Sequence, residues 1–135
     1  MKYEITPDLL TGNKLIDEEH RQLFDAVNKL LTVFSNKSAS GQTEIMSSAN
    51  FLKNYVERHF KHEEELQTKY QWREFEVHHK FHEEYKEALA KIISTISQEN
   101  ITIQNMSDLN VHIVRLVTHI RTMDKRLGAY IQTQE

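Results

Sequence analysis

The sequence predicts an all-α protein, an up-down-up-down antiparallel four-helix bundle preceded by an irregular N-terminal arm. Three observations predict it. The chain has 135 residues but only three glycines and one proline, too few turn formers for an all-β or α/β domain. Apolar residues recur at three- and four-residue spacing in four separate stretches, the mark of helices with one buried face. Connections of under about ten residues join these stretches, which makes consecutive helices antiparallel neighbours.

The arm is residues 1–16, which hold Pro7 and Gly12. The bundle runs over 17–130, and a single domain fills 1–135. Asp17-Glu18-Glu19 opens the first helix, with acids where the helix dipole favours them. Its apolar face is Leu23, Phe24, Val27, Leu30, Leu31 and Phe34. Ser35 to Gly41 is a polar connection. A second helix starts near Thr43, with the seam Ile45, Ala49, Leu52, Val56, His59, Glu63 and Leu66. Tyr70 to Arg73 forms a turn. The third seam is Phe75, His78, His82, Tyr85, Leu89, Ile92 and Ile96, followed by a connection over Gln98 to Asn105. The fourth is Leu109, His112, Leu116, His119 and Met123, flanked by Ile113, Ile120 and Leu127.

Composition narrows the function. No cysteine is present, which removes disulfides, zinc-thiolate fingers, iron–sulfur clusters and Cys nucleophiles. A formal net charge of −3 lacks the basic stripe of a nucleic-acid binder. No apolar run approaches the ~18 residues of a membrane span. Met1-Lys2-Tyr3-Glu4 does not open a secretory signal, so a soluble cytoplasmic protein is expected.

The eight histidines carry most of the functional information. Buried polar groups are costly unless paired or ligated, yet His20, His59, Glu63, His78, His82, His112 and His119 all lie on the apolar seams. A single such histidine is ordinarily a satisfied core residue. Repetition on every helix calls for a common cause. His59 and Glu63 are four apart, as are His78 and His82, so each pair projects from one helix face. His20 is early in helix one, His59 and Glu63 late in helix two, His78 and His82 early in helix three, and His119 late in helix four. In an up-down-up-down bundle these positions share one end.

Asp124 follows His119 by five residues, an offset of about 140° in an ideal α-helix. Two readings remain open on geometry. Asp124 is a solvated surface acid, or the helix widens locally into a π-bulge, a feature that favours functional sites. His62 and His79 fall off the seams and are expected at the surface. His112, about two turns before His119, either bonds a neighbouring helix or stands on a ligand path, where an imidazole titrates near neutral pH.

Five histidines and two carboxylates exceed what one tetrahedral zinc takes, and imidazole with carboxylate suits iron among other metals. Suppose Glu63 and Asp124 each bridge two metals that also share an oxide or hydroxide. The metal holding His78, His82 and His119 is then saturated. Its partner on His20 and His59 keeps one open position, fit for one small ligand.

The pattern His20, His59-Phe60-x-x-Glu63, His78-x-x-x-His82 and His119-x-x-x-x-Asp124 resembles the complete ligand pattern of the hemerythrin family. Gly12-x-x-x-Ile16-Asp17-x-x-His20, Leu23-Phe24 and Asp124-Lys125 resemble its single-domain bacterial branch. The resemblance implies a non-haem diiron centre of two Fe ions, bridged by Glu63, Asp124 and oxo or hydroxo, and it implies that Asp124 is a ligand. It implies reversible O₂ binding, as a hydroperoxide, at the iron held by His20 and His59. Leu23, Phe60, Leu116, Ile120 and Met123 then line an O₂ pocket that excludes water. The family commonly carries Trp where this chain has Arg115, which thins the apolar cover.

The function expected is O₂ carriage, storage or delivery by a monomer, a binding protein rather than an enzyme. An unidentified redox or oxygen-using protein is its expected partner, and signalling would need a separate chain. O₂ or redox sensing, iron handling and a diiron oxidase or peroxidase are the alternatives. Ferritin-like oxidases carry two Glu-x-x-His motifs, which the seams here lack.

Overall fold

The computed structural model describes residues 3–36, 41–98 and 103–135. Helix α1 is Lys14–Ser35, α2 is Gln42–Lys69 and α3 is Phe75–Gln98. The fourth helix of the bundle is α4 (Ile103–His119), a π-helical turn (Ile120–Asp124) and α5 (Lys125–Gln134). His119 and Lys125 both hold right-handed helical dihedrals, so the three segments form one continuous rod. Contacts join α1 to α2, α2 to α3 and α3 to α4, which is the expected antiparallel bundle. No described helix is long and apolar enough to cross a membrane.

Helix boundaries differ from the sequence reading where side chains intervene. Helix α1 begins at Lys14, ahead of Asp17, because the Asn13 side chain accepts from Ile16 N at 3.0 Å and caps it. Asp17 instead faces back to the arm. It accepts from Thr11 N at 2.9 Å, Thr11 Oγ1 at 2.7 Å and Gly12 N at 3.2 Å. Helix α4 begins at Ile103 rather than after Asn105. The remaining parts of the two long connections lie outside the described residues.

The arm is less irregular than its composition suggests. Pro7–Leu9 forms a 3₁₀ turn. Gly12, at φ +89°, takes a backbone conformation that suits glycine, and its carbonyl accepts from Gln132 Nε2 at 3.1 Å. A Cβ on Gly128 would meet the Thr11 carbonyl oxygen at 2.3 Å, so glycine is what lets the arm lie against α5. The turn after α2 places Gln71 at φ +55°. It is held by Trp72 N donating to Gln67 O at 2.8 Å and Tyr130 OH donating to Tyr70 O at 2.6 Å.

Two apolar clusters fill the interior. The larger spans all four helices and includes Leu23, Phe24, Leu30, Phe60, Leu116 and Ile120. The smaller, Ile16, Trp72, Leu127 and Ile131, plugs the opposite end. On α1 and on the fourth helix the seam passes from one cluster to the other through histidine or carboxylate residues: His20 lies between Ile16 and Leu23, and Asp124 between Ile120 and Leu127.

Candidate metal centre

Seven titratable side chains lie in the layer between the two apolar clusters. His20, His59, Glu63, His78, His82, His119 and Asp124 are each at most 3% exposed. Those on α2 and α3 arrive in pairs from one helix face, as their four-residue spacing requires. The fourth helix needs a different device. The π turn adds one residue between His119 and Asp124, and His119 Nε2 lies 3.0 Å from Asp124 Oδ1. Of the two readings that helical spacing leaves open for Asp124, the solvated surface acid is therefore wrong, because the widened turn carries the side chain inward.

The seven residues divide into two groups that share both carboxylates: Glu63, His78, His82, His119 and Asp124 in one, and His20, His59, Glu63 and Asp124 in the other. The division holds oxygen by oxygen. Glu63 Oε1 lies 3.1 Å from His78 Nε2 and 3.2 Å from His82 Nε2, whereas its Oε2 lies 3.2 Å from His59 Nε2 and 3.6 Å from His20 Nε2. Asp124 Oδ1 lies 2.9 Å from His78 Nε2, whereas its Oδ2 lies 3.0 Å from His20 Nε2. Each carboxylate thus turns one oxygen to each group.

Apart from His78 Nε2, which is within hydrogen-bond distance of Asp124 Oδ1 and His119 Nε2, these atoms crowd without pairing. His20 Nε2, His59 Nε2, His82 Nε2, both Glu63 oxygens and Asp124 Oδ2 make no hydrogen bond despite such short separations. They converge on shared centres rather than pointing at one another, which is how ligand atoms are arranged and hydrogen-bond partners are not. Bonds of about 2.1 Å put neighbouring ligands about 3.0 Å apart around an octahedral ion and about 3.4 Å apart around a tetrahedral one. His78 Nε2 to His119 Nε2 is 2.9 Å, and the distances above run up to 3.2 Å except for His20 Nε2 to Glu63 Oε2 at 3.6 Å, so they span ligand spacings of both kinds. The residues fit two metal ions that share both carboxylates, with five protein ligands around one and four around the other.

Electrostatics supports the same conclusion. Burial works against a charged His59, but the Glu63 charge and the Glu19 and Glu63 carboxylates beside it push the imidazole up to about 10. His78, likewise disfavoured by burial, is carried up to about 9 by Asp124 and Glu63. His20 and His82 shift upward for the same reason. Burial raises Glu63 and Asp124, yet the surrounding histidines outweigh it and hold both below their usual range. Without metal the cluster retains protons. Cations would displace them, so binding and proton release are coupled.

Two carboxylates outside the cluster escaped the sequence reading. Glu19 Oε1 lies 2.9 Å from His59 Nδ1 and its Oε2 lies 2.6 Å from His62 Nδ1. Glu64 Oε2 lies 2.7 Å from His82 Nδ1 and its Oε1 lies 3.0 Å from His79 Nδ1. Each carboxylate takes the outer nitrogen of a buried histidine and leaves Nε2 facing inward, the arrangement that orients metal ligands. Histidines His62 and His79 are only partly exposed, with side chains at 38% and 40%. They anchor these carboxylates rather than standing free. The available signal was the doubled acids, Glu19 beside His20 and Glu64 beside Glu63.

Of the five residues expected to line a ligand pocket, Leu23, Phe60, Leu116 and Ile120 are buried. Met123 is half-buried, because it lies on the π turn that brings Asp124 inward. Phe60 stacks on His82 at a ring-centroid distance of 3.8 Å, and Phe81, absent from the sequence-based set, stacks on His119 at 3.9 Å. Arg115 is exposed. His112 is buried and stacks on Tyr85 at 3.7 Å, and its backbone carbonyl accepts from Tyr85 OH at 3.1 Å. Burial and the Arg115 charge push its imidazole down to about 4. That shift favours the first of the two readings of His112, a core histidine packed against the neighbouring helix, over a titrating group on a ligand path.

Comparison with known proteins agrees with this geometry. A family model described as Hemerythrin HHE cation binding domain matches residues 11–131. A protein named myohemerythrin, from Theromyzon tessulatum, is 30% identical over 86 residues, 64% of this chain and 64% of its own length. The alignment thus spans less than two thirds of that relative.

Proposed function

We infer, from the premise that the chain belongs to the hemerythrin HHE cation-binding domain family, that it binds O₂ reversibly at a non-haem diiron centre. His20, His59, Glu63, His78, His82, His119 and Asp124 are assigned as the ligands. The observation that carries the reading is the division of each carboxylate, one oxygen to each histidine group. That division suits two metals held side by side and has no purpose for one.

When bound, the irons supply the electron pair that reversible O₂ binding draws upon. The chain's own residues do the rest. His78, His82 and His119 with the two carboxylates surround one metal site nearly completely. His20 and His59 give the other one nitrogen fewer, which leaves room there for a single small ligand. Leu23, Phe60, Leu116 and Ile120 keep water from that position, and Met123 sits at the edge of the cover. Glu19 and Glu64 hold His59 and His82 in the tautomer that presents Nε2.

A nitrogen-rich, nearly filled ligand set supports binding over turnover, so carriage, storage or delivery of O₂ is proposed rather than an enzymatic role. The Gly12 to His20 motif supports the single-domain bacterial branch. A cytoplasmic monomer serving a separate redox or oxygen-using protein completes the proposal. Iron analysis tests its base: two irons per chain after iron-replete expression support it, and one zinc or no iron overturns it.

A further inference from the structure

The N-terminal arm touches the fourth helix along one face. Asp8 Oδ2 accepts from Arg121 Nε at 2.9 Å, and the Asp8 carbonyl accepts from Lys125 Nζ at 3.0 Å. Thr11 lies against Gly128, and the Gly12 carbonyl accepts from Gln132 Nε2 at 3.1 Å. Arg121, Lys125, Gly128 and Gln132 follow one another at steps of four, three and four, the spacing of a single helix face. The 3₁₀ turn Pro7–Leu9 sits on the π turn itself, and Leu9 is buried in the larger apolar cluster. The arm is in turn fixed to α1. Asp17 accepts from Thr11 N and Gly12 N, and Asn28 exchanges two hydrogen bonds with the backbone of Tyr3, at 2.7 and 2.8 Å.

These contacts straddle Asp124. Arg121 lies within the π turn, and Lys125 closes it, its N–H donating to Ile120 O. Gly128 and Gln132 lie beyond it on α5. A regular α-helix in place of the π turn would displace every later residue by one position, about 100° around the axis. Asp124 would leave the metal layer, and Lys125, Gly128 and Gln132 would leave the arm. Both therefore need the same register. Leu127 and Ile131 hold it from the inner side, in the smaller apolar cluster, and the arm holds it from outside.

We propose that the N-terminal arm locks the π turn in register and so positions Asp124 for the metals, with Lys125 and Gly128 as the positioning residues. Metal loading and arm docking are then coupled, and such coupling is reciprocal: a docked arm favours metal, and metal favours a docked arm. This rests on Asp124 being a metal ligand, as assigned above. The ion pair of Asp8 and Arg121 is half-exposed and contributes little by itself. The close approach at Gly128 matters more, since an added Cβ would lie 2.3 Å from the Thr11 carbonyl oxygen and 2.8 Å from its carbon. Both are backbone atoms, which cannot swing aside as a side chain would.

Two variants attack the contact from opposite sides. Gly128→Ala pushes the arm away from the helix, and Gly12→Ala strains the arm itself, at φ +89°. Ile93→Ala is the control for general destabilisation. It empties part of the larger cluster on α3, eleven residues past His82 and about 16 Å along the helix. Chelator competition on the iron-loaded chain reads metal affinity, and hydrogen exchange with and without iron reads the amides of the arm. Both glycine variants should lose iron at about tenfold lower chelator concentration, and Ile93→Ala should match the unmodified protein. Iron should slow exchange at Thr11 and Gly12 in the unmodified protein, and Gly128→Ala should lose that protection. Unchanged iron affinity in the glycine variants, an equal loss in Ile93→Ala, or arm exchange indifferent to iron overturns the proposal. Should Gly128→Ala fail to fold, Gly12→Ala decides by the same two measurements. Asp124→Asn separates this from the ligand assignment. If it weakens iron binding and the glycine variants do not, the arm's role alone is overturned; if it leaves iron binding unchanged, the assignment of Asp124 falls and the arm's role with it.

Discussion

Asp124 stands five residues after His119, yet its Oδ1 lies 3.0 Å from His119 Nε2. A regular α-helix would send the two side chains about 140° apart. The π turn over Ile120–Asp124 removes that offset, and Asp124 is then fully enclosed by histidines from α1, α3 and α4. An irregular piece of helix is retained where the site needs two side chains on one face.

Asp124→Asn keeps the shape of the side chain and removes its charge, so it can no longer offer equivalent oxygens to both histidine groups. Iron content should fall from two per chain toward one, with helicity by circular dichroism unchanged. Two irons retained at full affinity would remove Asp124 from the ligand set.

The carboxylates behind the ligands should matter by an intermediate amount. Glu64→Gln and Glu19→Gln should each weaken metal binding about 10- to 100-fold, the usual effect of losing a group that orients a ligand. Chelator competition measures this directly. His82→Ala should do more damage than either, because it deletes an inward-facing nitrogen. His79→Ala should do less, because it removes only an anchor of Glu64.

These residues also show where sequence reading runs out. The pairs on α2 and α3 are legible because four-residue spacing and burial on an apolar seam leave few alternatives. Asp124 is not settled by periodicity, since nothing local in Ile120 to Met123 announces a π turn. Glu19 and Glu64 look like ordinary solvated acids until the fold brings His59 and His82 to them from other positions in the chain. The arm escapes for a similar reason. Asp17 is tied to main-chain donors of Thr11 and Gly12, and no residue pattern encodes a main-chain donor.

Removing the metal should make stability depend on pH in a definite direction. His59, pushed up to about 10, and His78, up to about 9, favour the native state fully below the unfolded imidazole value near 6.5. That contribution is lost as pH rises through 9 to 10. Glu63 and Asp124 are held low, so their contribution is present above about 4 and is lost as pH falls below it. His112, held down to about 4, adds a loss between about 6.5 and 4. Apo protein should therefore melt highest near pH 6 to 7 and lose several degrees by pH 10. The loaded protein should melt higher and stay flat over the alkaline range, because metal has replaced the protons. Identical melting profiles for apo and loaded protein would contradict this.

Leu116→Ala should open the apolar cover beside the proposed O₂ position. Truncating a buried leucine costs about 2–5 kcal/mol, and the space left admits water. The oxygenated form should then oxidise faster than in the unmodified protein, followed by the decay of its visible spectrum. An unchanged lifetime would mean that Leu116 serves packing alone.

The most direct test is anaerobic reduction of the iron-loaded protein followed by titration with O₂, watched in the near-ultraviolet and visible. Reversible O₂ binding predicts one O₂ taken up per two irons, a new absorption that saturates, and its disappearance when O₂ is withdrawn, over several cycles. Immediate irreversible oxidation of the irons, or no spectral change at saturating O₂, would contradict the central claim.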